Sequence, residues 1–325
     1  MPAVSSLWDV QLKYPHRKIP SVSTSSPFTA PAIAEAQNKS KYLRMLAAQR
    51  QLYSDSKKIY SARIILLVGG TIVAPTAALI VSDWRAAVGG TFTIVLILIY
   101  LIGSVKEKRL NREAAAIQEQ FDTSIYQISW NELLADRPTP TLIADAARRY
   151  KGPSTLQDWY PDASDVHRPL DILICQRSNL GWGISLHKAW ARLTLWVLLA
   201  IICAAMLIGI LGEFAIGDFL IAVLVPLGPL IREAIEMFRA HTDSAQEKAG
   251  AEQKVMALWR KGMVSPGAIT DVDCRGIQDC IYLIRRSNAV MPNWFNDRRR
   301  NFKEVEMRLS AEDLIAEARE HGQAR

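Results

Sequence analysis

The sequence predicts an all-α membrane protein: four transmembrane helices paired as two antiparallel hairpins, with helices extending into a cytoplasmic helical region. Three observations predict it. Four apolar blocks, Ile64–Val81, Ala86–Val105, Leu193–Leu211 and Phe214–Ile231, are nearly free of charge, and each is close to the ~20 residues that a helix needs to cross a bilayer. The blocks come in pairs, joined only by Ser82–Arg85 and by Gly212–Glu213. Lys and Arg crowd the ends of the blocks that face away from these short joints.

Composition agrees. Half of the 325 residues are hydrophobic, yet mean hydropathy is only +0.06, so apolar residues are gathered into blocks with strongly polar sequence between them. The formal charge of +7 points to nucleic acid, anionic lipid, a phosphate ligand or simply loops held on the cytoplasmic side. Cys175, Cys203, Cys274 and Cys280 show neither a zinc spacing nor a disulfide framework.

Residues 1–34, rich in Ser, Thr and Pro and without an apolar signal core, read as a disordered N-terminus. Residues 35–63 read as a cytoplasmic helix. Leu43, Leu46, Ala47, Arg50 and Tyr53 recur near one face, with no Gly or Pro to break it. Residues 64–105 form the first transmembrane hairpin. Its Gly69, Gly70, Gly89 and Gly90 offer close-packing surfaces, and Thr71 is one of few polar groups in the spans. These five residues are the candidates for span packing or a pore lining, together with Asp218 in the fourth span.

Residues 106–192 read as a cytoplasmic helical segment. Leu110, Ala114, Ile117, Phe121 and Ile125 continue the second span as a helix. Arg137-Pro-Thr-Pro breaks it, and Thr141–Tyr150 is a short amphipathic helix with Thr139 or Thr141 as its cap. The stretch after it, rich in Pro, Asp and Gly, reads as a loop up to the third span, with Leu170–Arg177 apolar and of open type. Residues 193–231 form the second hairpin. Asp218 meets the positive end of the fourth helix, and Pro226 and Pro229 predict a kink or an unwound end. Residues 232–325 form a cytoplasmic helical C-terminal region, with a helix to about Gly262, a short one around Ile277–Arg286 and an amphipathic one at the end.

Orientation follows from charge. Lys57, Lys58, Arg63, Lys106, Lys108, Arg109, Lys188, Arg192 and Arg232 flank the spans on one side, against Arg85 alone on the other. Both termini and all the polar mass are therefore placed in the cytoplasm of a multi-pass inner-membrane protein.

No serine-hydrolase elbow, zincin or phosphate-loop pattern is present, so catalysis, cofactors and metals are not predicted. His167, His187 and His241 are scattered, without partners at useful spacing. Two basic clusters could hold phosphate: Arg177 and Asn179 beside Trp182, and Arg285, Arg286 and Asn288 followed by Trp294 and Arg298–Arg300. Of these, Arg177, Asn179, Arg285 and Arg286 are the ligand candidates. The plain alternative is lipid headgroups, or ion pairs with Glu304, Glu306 and Glu312. Ile174–Asn179 (ICQRSN) echoes Leu283–Asn288 (LIRRSN). Asp218 alone is thin support for a transporter, and four helices leave no room for a wide path, so any pore requires a homo-oligomer.

LAAQRQLYSDSKKIY before the first span, ICQRSNLGW before the third, and IQDCIYLIRRSN with its following Pro292-x-Trp294-Phe295 resemble the SMODS-associated four-transmembrane effectors, from about Asn38 onward. The resemblance implies a pore-forming effector of CBASS-type bacterial antiphage defence. It would sense a cyclic oligonucleotide made by a nucleotidyltransferase, assemble and breach the inner membrane. DNA and RNA are not implied as partners. Asn179-Leu-Gly-Trp182-Gly183 lacks the Asp that follows Trp in the family pattern. The alternative is a non-conducting scaffold or adaptor that recruits a cytoplasmic partner.

Overall fold

A computed structural model describes residues 32–80, 85–152, 156–211, 213, 215–220 and 224–325, with the backbone alone described for 72–80, 85–93, 95–97, 208, 218, 226, 300 and 301. Most of the lead-in expected over 1–34 lies outside the described residues. The described residues form nine helices: α1 (Ile33–Ala36), α2 (Ser40–Ile80), α3 (Arg85–Tyr126), α4 (Pro140–Arg149), α5 (Leu170–Leu211), α6 (Ile216–Phe219), α7 (Val225–Val264), α8 (Asp271–Ser287) and α9 (Asn293–Glu320).

Two long antiparallel pairs organise the molecule. In the first, Arg63 of α2 meets Glu107 of α3 at 2.5 Å, and its guanidinium lies 4.2 Å from the centre of the Tyr100 ring. In the second, His187 of α5 faces His241 of α7 at 2.9 Å, while the Trp190 indole N–H and the Thr194 hydroxyl point to Met237 Sδ at 3.3 and 3.4 Å. Each pair begins as apolar helix and continues, without a break in α2, α3 or α5, into polar sequence.

Among the described residues, much of the apolar blocks stays uncovered. Ile65, Leu98, Leu101, Ile102 and Val105 of the first pair are exposed, as are Trp196, Leu207, Ile210 and Leu211 of the second. A patch of this size is disfavoured in water and suits lipid. By length and composition, among the described residues, one helix, Leu170–Leu211, is long and apolar enough to cross a membrane. In the fourth block α6 ends at Phe219 and α7 begins at Val225, with Pro229 inside α7; Leu220 and Leu224 keep helical backbone, and residues 221–223 lie outside the described residues.

The polar ends converge on one core. Leu46, Phe121, Ile125, Ile172, Leu173, Ile174, Trp259 and Ile281 are almost fully buried there, each contributing about 1.5–3 kcal/mol by leaving water. Thr139 caps α4, accepting from the Leu142 N–H at 3.2 Å. Thr270 and Asp273 form a reciprocal capping box at the start of α8.

Two local expectations are corrected. The helix expected over 35–63 breaks at Gln37–Lys39, because the Gln37 side chain bonds both the carbonyl and the N–H of Tyr160, and Asn38 bonds Asp158. The loop expected before the third span is helix from Leu170 onward. Gly181 and Gly183 do not break it; they admit close neighbours. A Cβ at Gly181 would lie 2.9 Å from Met307 Sδ, and one at Gly183 would lie 2.9 Å from the Lys248 side chain. Close approach outweighs the weak helix propensity of glycine.

Candidate ligand cavity

The two helix pairs do not close on each other completely. A cavity of about 1130 Å³ lies between them, lined from α2, α3, the 149–161 segment, α5, α7, α8, the α8–α9 connection and α9. Arg50, Lys57, Lys58, Arg149, Lys151, Lys248, Arg285 and Arg308 line it against only Asp158, Asp297 and Glu304. Tyr53, Trp159, Tyr160 and Trp182 add aromatic surface, and Gln49, Asn111, Gln118, Ser178, Asn179 and Asn288 add neutral donors and acceptors. Cations and aromatic rings around a roomy hollow suit a ligand carrying phosphates and flat bases.

Some of these cations are already engaged. Arg149 reaches Asp55 at 2.5 Å, and Arg50 stacks 5.1 Å from the Trp159 ring centre. The Gln37–Tyr160 and Asn38–Asp158 bonds hold the 158–160 segment in place as one wall.

A buried polar network forms the floor. Asp122 of α3 faces Arg285 of α8 at 2.6 Å and accepts from the Tyr160 hydroxyl at 2.7 Å and from Gln278 at 3.0 Å. Gln278 also donates to Glu119 at 2.8 Å, and Arg275 meets Glu119 at 2.6 Å. Asn179 donates to the Tyr160 hydroxyl at 2.9 Å. Burial disfavours the Arg285 charge, but Asp122, Tyr160, Tyr53 and Glu119 outweigh it and hold the guanidinium above its ordinary value. Burial raises the Glu119 carboxyl despite Arg275. Among the described residues, no carboxylate pairs with Lys248, and only the adjacent Glu247 acts to raise its ammonium. Burial, reinforced by Arg285, lowers its ammonium to about 8.

The histidines expected to lack partners find each other. His187 on α5 and His241 on α7 are both buried, one ring donating to the other. Burial, then Lys248 and His241, lowers His187 to about 2, and burial lowers His241 to about 4. Both rings are neutral near pH 7. The described cysteines are all free.

The cavity gathers two of the four ligand candidates, Asn179 and Arg285. Arg177 points elsewhere, paired with Glu252 at 3.3 Å and with Ser310. Arg286 is one step around α8 from Arg285; it is exposed and reaches the Leu134 carbonyl at 3.5 Å. The span candidates lie apart from the cavity. Thr71 donates to the Leu67 carbonyl of its own helix at 2.8 Å, Gly70 is buried and Gly69 has open space beside it. Gly89 and Gly90 lie on α3 and Asp218 on α6, with their surroundings outside the described residues.

Sequence reading missed Lys248, Arg50, Arg149, Trp159 and Tyr160. Two signals pointed that way. The ICQRSN and LIRRSN echo contributes Ser178 and Asn179 from one copy and Arg285 and Asn288 from the other to one cavity. Lys248 sits in the buried stripe His241, Ser244, Ala245, Lys248, Ala251 and Val255, where a cation is out of pattern.

Helix pairs with uncovered apolar ends, joined through polar ends around a basic cavity, define an all-α membrane-protein architecture. The chain belongs to the SMODS-associating 4TM effector domain family, whose model matches residues 31–314. It is 24% identical over 276 residues to a probable CBASS effector molecule of Bacillus cereus (strain VD146), covering 80% of this chain and 90% of that one. No solved structure matches it.

Proposed function

We propose that the chain is a CBASS-type antiphage effector, triggered by a cyclic oligonucleotide in the cavity between the two helix pairs and acting by oligomerisation and disruption of the inner membrane. The four apolar blocks are its spans, two hairpins with both termini cytoplasmic. The relative named a probable CBASS effector and the family membership support the defence role. The charge bias at the block ends supports the orientation.

One observation carries the trigger: the basic, aromatic-lined cavity lies where the two hairpins' polar ends meet. A ligand there touches both hairpins at once. It can shift their relative arrangement only to the extent that it binds one arrangement better than the other. Arg50, Lys57 and Asn111 come from the first hairpin, Asn179, Trp182 and Lys248 from the second, so binding free energy can be spent on the arrangement of the two.

The test is dye release from liposomes carrying the full chain, with a panel of cyclic di- and trinucleotides. Release that depends on one of them is the expected result. Tight binding of a cyclic nucleotide with no release, over a range of protein densities, would leave the adaptor as the better account.

A further inference from the structure

We infer that the deep end of the cavity is a phosphate subsite formed by Lys248 of α7 and Arg285 of α8. The inference rests on the cavity being the messenger site, and goes beyond it by naming the groups that hold a phosphate.

Both side chains are more than nine-tenths buried, at 7% and 6% exposure, and both line the cavity. Each lacks something a phosphate supplies. Among the described residues, no carboxylate pairs with the Lys248 ammonium, and its nearest acid influence is the adjacent Glu247. Arg285 meets Asp122 through Nη1 at 2.6 Å, but its Nε and Nη2 are buried without a hydrogen bond among the described residues. A buried donor left unmade is costly, and an uncompensated buried charge more so. Proteins tolerate that cost where a ligand relieves it.

The chemistry selects the ligand class. A phosphate ester offers at least two charged oxygens, enough to meet the Arg285 fork and the Lys248 point charge together. Gly183 matters here, because the lysine stem runs against its Cα where any side chain would collide. Asn179, Ser178 and Asn288 lie along the same cavity and could reach the remaining oxygens or a sugar. A neutral ligand could accept from Arg285 but would leave the Lys248 charge uncompensated, and a cationic one would add to it.

The experiment uses the full chain in neutral detergent, with inorganic pyrophosphate as the probe and thermal unfolding as the readout. Pyrophosphate is expected to raise the unfolding midpoint of the wild type. Lys248→Met removes an unpaired buried charge, so its ligand-free midpoint should equal or exceed that of the wild type, while its affinity for pyrophosphate falls at least tenfold. Arg285→Lys keeps the charge opposite Asp122 and loses the fork, and should weaken pyrophosphate similarly. Arg298→Gln, exposed on α9 and outside the cavity, should respond like the wild type. Should Lys248→Met fail to fold, Lys248→Gln gives the same comparison. A Lys248 variant that keeps wild-type affinity overturns the inference, as does a wild type that ignores pyrophosphate at millimolar concentration. Short-chain phosphatidylglycerol forms a second arm. A Lys248-dependent response to that lipid, with none to cyclic dinucleotides, keeps the phosphate subsite and defeats the messenger reading; release without Lys248 dependence does the reverse.

Discussion

The two hairpins are closed in different ways at the place where they leave their apolar segments. The first is closed by charge: Arg63 and Glu107 are 2.5 Å apart, with side chains only 8% and 13% exposed, and Tyr100 lies under the guanidinium. The second is closed by neutral groups: the paired His187 and His241, and Met237 between Trp190 and Thr194. Trp190 also packs edge-on against Phe295 of α9 at 4.7 Å. A buried ion pair has one good geometry and is costly to break one-sidedly. The Met237 thioether is unbranched and polarizable, so its contacts can shift with little penalty. The difference assigns a rigid role to the first hairpin and leaves the second as the one able to respond. The cavity draws on both, with Arg50, Lys57 and Asn111 from the first hairpin and Asn179 and Lys248 from the second.

The comparison breaks most sharply at Glu107. Glu107→Gln leaves Arg63 buried without its carboxylate and should cost about 3–5 kcal/mol, read as a lower unfolding midpoint in detergent. Replacing both partners, Arg63→Met with Glu107→Leu, should recover most of that loss. A single variant as stable as wild type would mean that the first hairpin is not held by this pair.

The second hairpin should instead be sensitive to acid. His187 and His241 titrate near 2 and 4 in the folded protein, below their ordinary value of 6.5. Groups depressed by folding contribute stability that is present above about pH 6.5 and lost as pH falls toward 4 and then 2, because the unfolded chain takes the protons first. The charges bearing on the pair are Lys248 and Lys57, and both add to the depression of His187. Replacing both rings, His187→Phe with His241→Phe, removes both depressed groups and leaves no unpaired ring nitrogen, and should flatten this limb of the midpoint-against-pH curve. An unaltered acid limb would place the sensitivity elsewhere.

Which parts were readable in the sequence follows from the same contrast. Helical continuity through 40–80 and 85–126 follows from composition and periodicity, since both act within about four residues along the chain. The family was legible from short motifs, and the match over residues 31–314 bears it out. The cavity was legible only in part. Asn179 and Arg285 stood out as polar residues beside aromatics, but Arg177 and Arg286 looked equivalent to them. One step along a helix turns a side chain by about 100°, and that step decides whether an arginine enters the cavity or pairs with Glu252. The His187–His241 pair and the Asp122–Arg285 pair join residues from different helices, and no local pattern announces such a meeting. Gly181 and Gly183 misled for a related reason, because their value lies in what packs against them.

The smallest expected effect is at Met237. Met237→Leu conserves volume and removes only a weak acceptor from the Trp190 N–H and the Thr194 hydroxyl. Volume-conserving apolar exchanges usually cost less than about 1.5 kcal/mol. Thr194 can turn its hydroxyl to a carbonyl of its own helix, and the Trp190 indole keeps its contacts with Phe295 and Trp294. The unfolding midpoint should therefore drop far less than for Glu107→Gln. If the thioether only cushions the hairpin, the pyrophosphate-dependent shift and the liposome release should both survive. A loss comparable to that of the charge pair would show that the second hairpin is as firmly keyed as the first, and the responsive part of the molecule would have to be sought at the α3–α8 contact through Asp122.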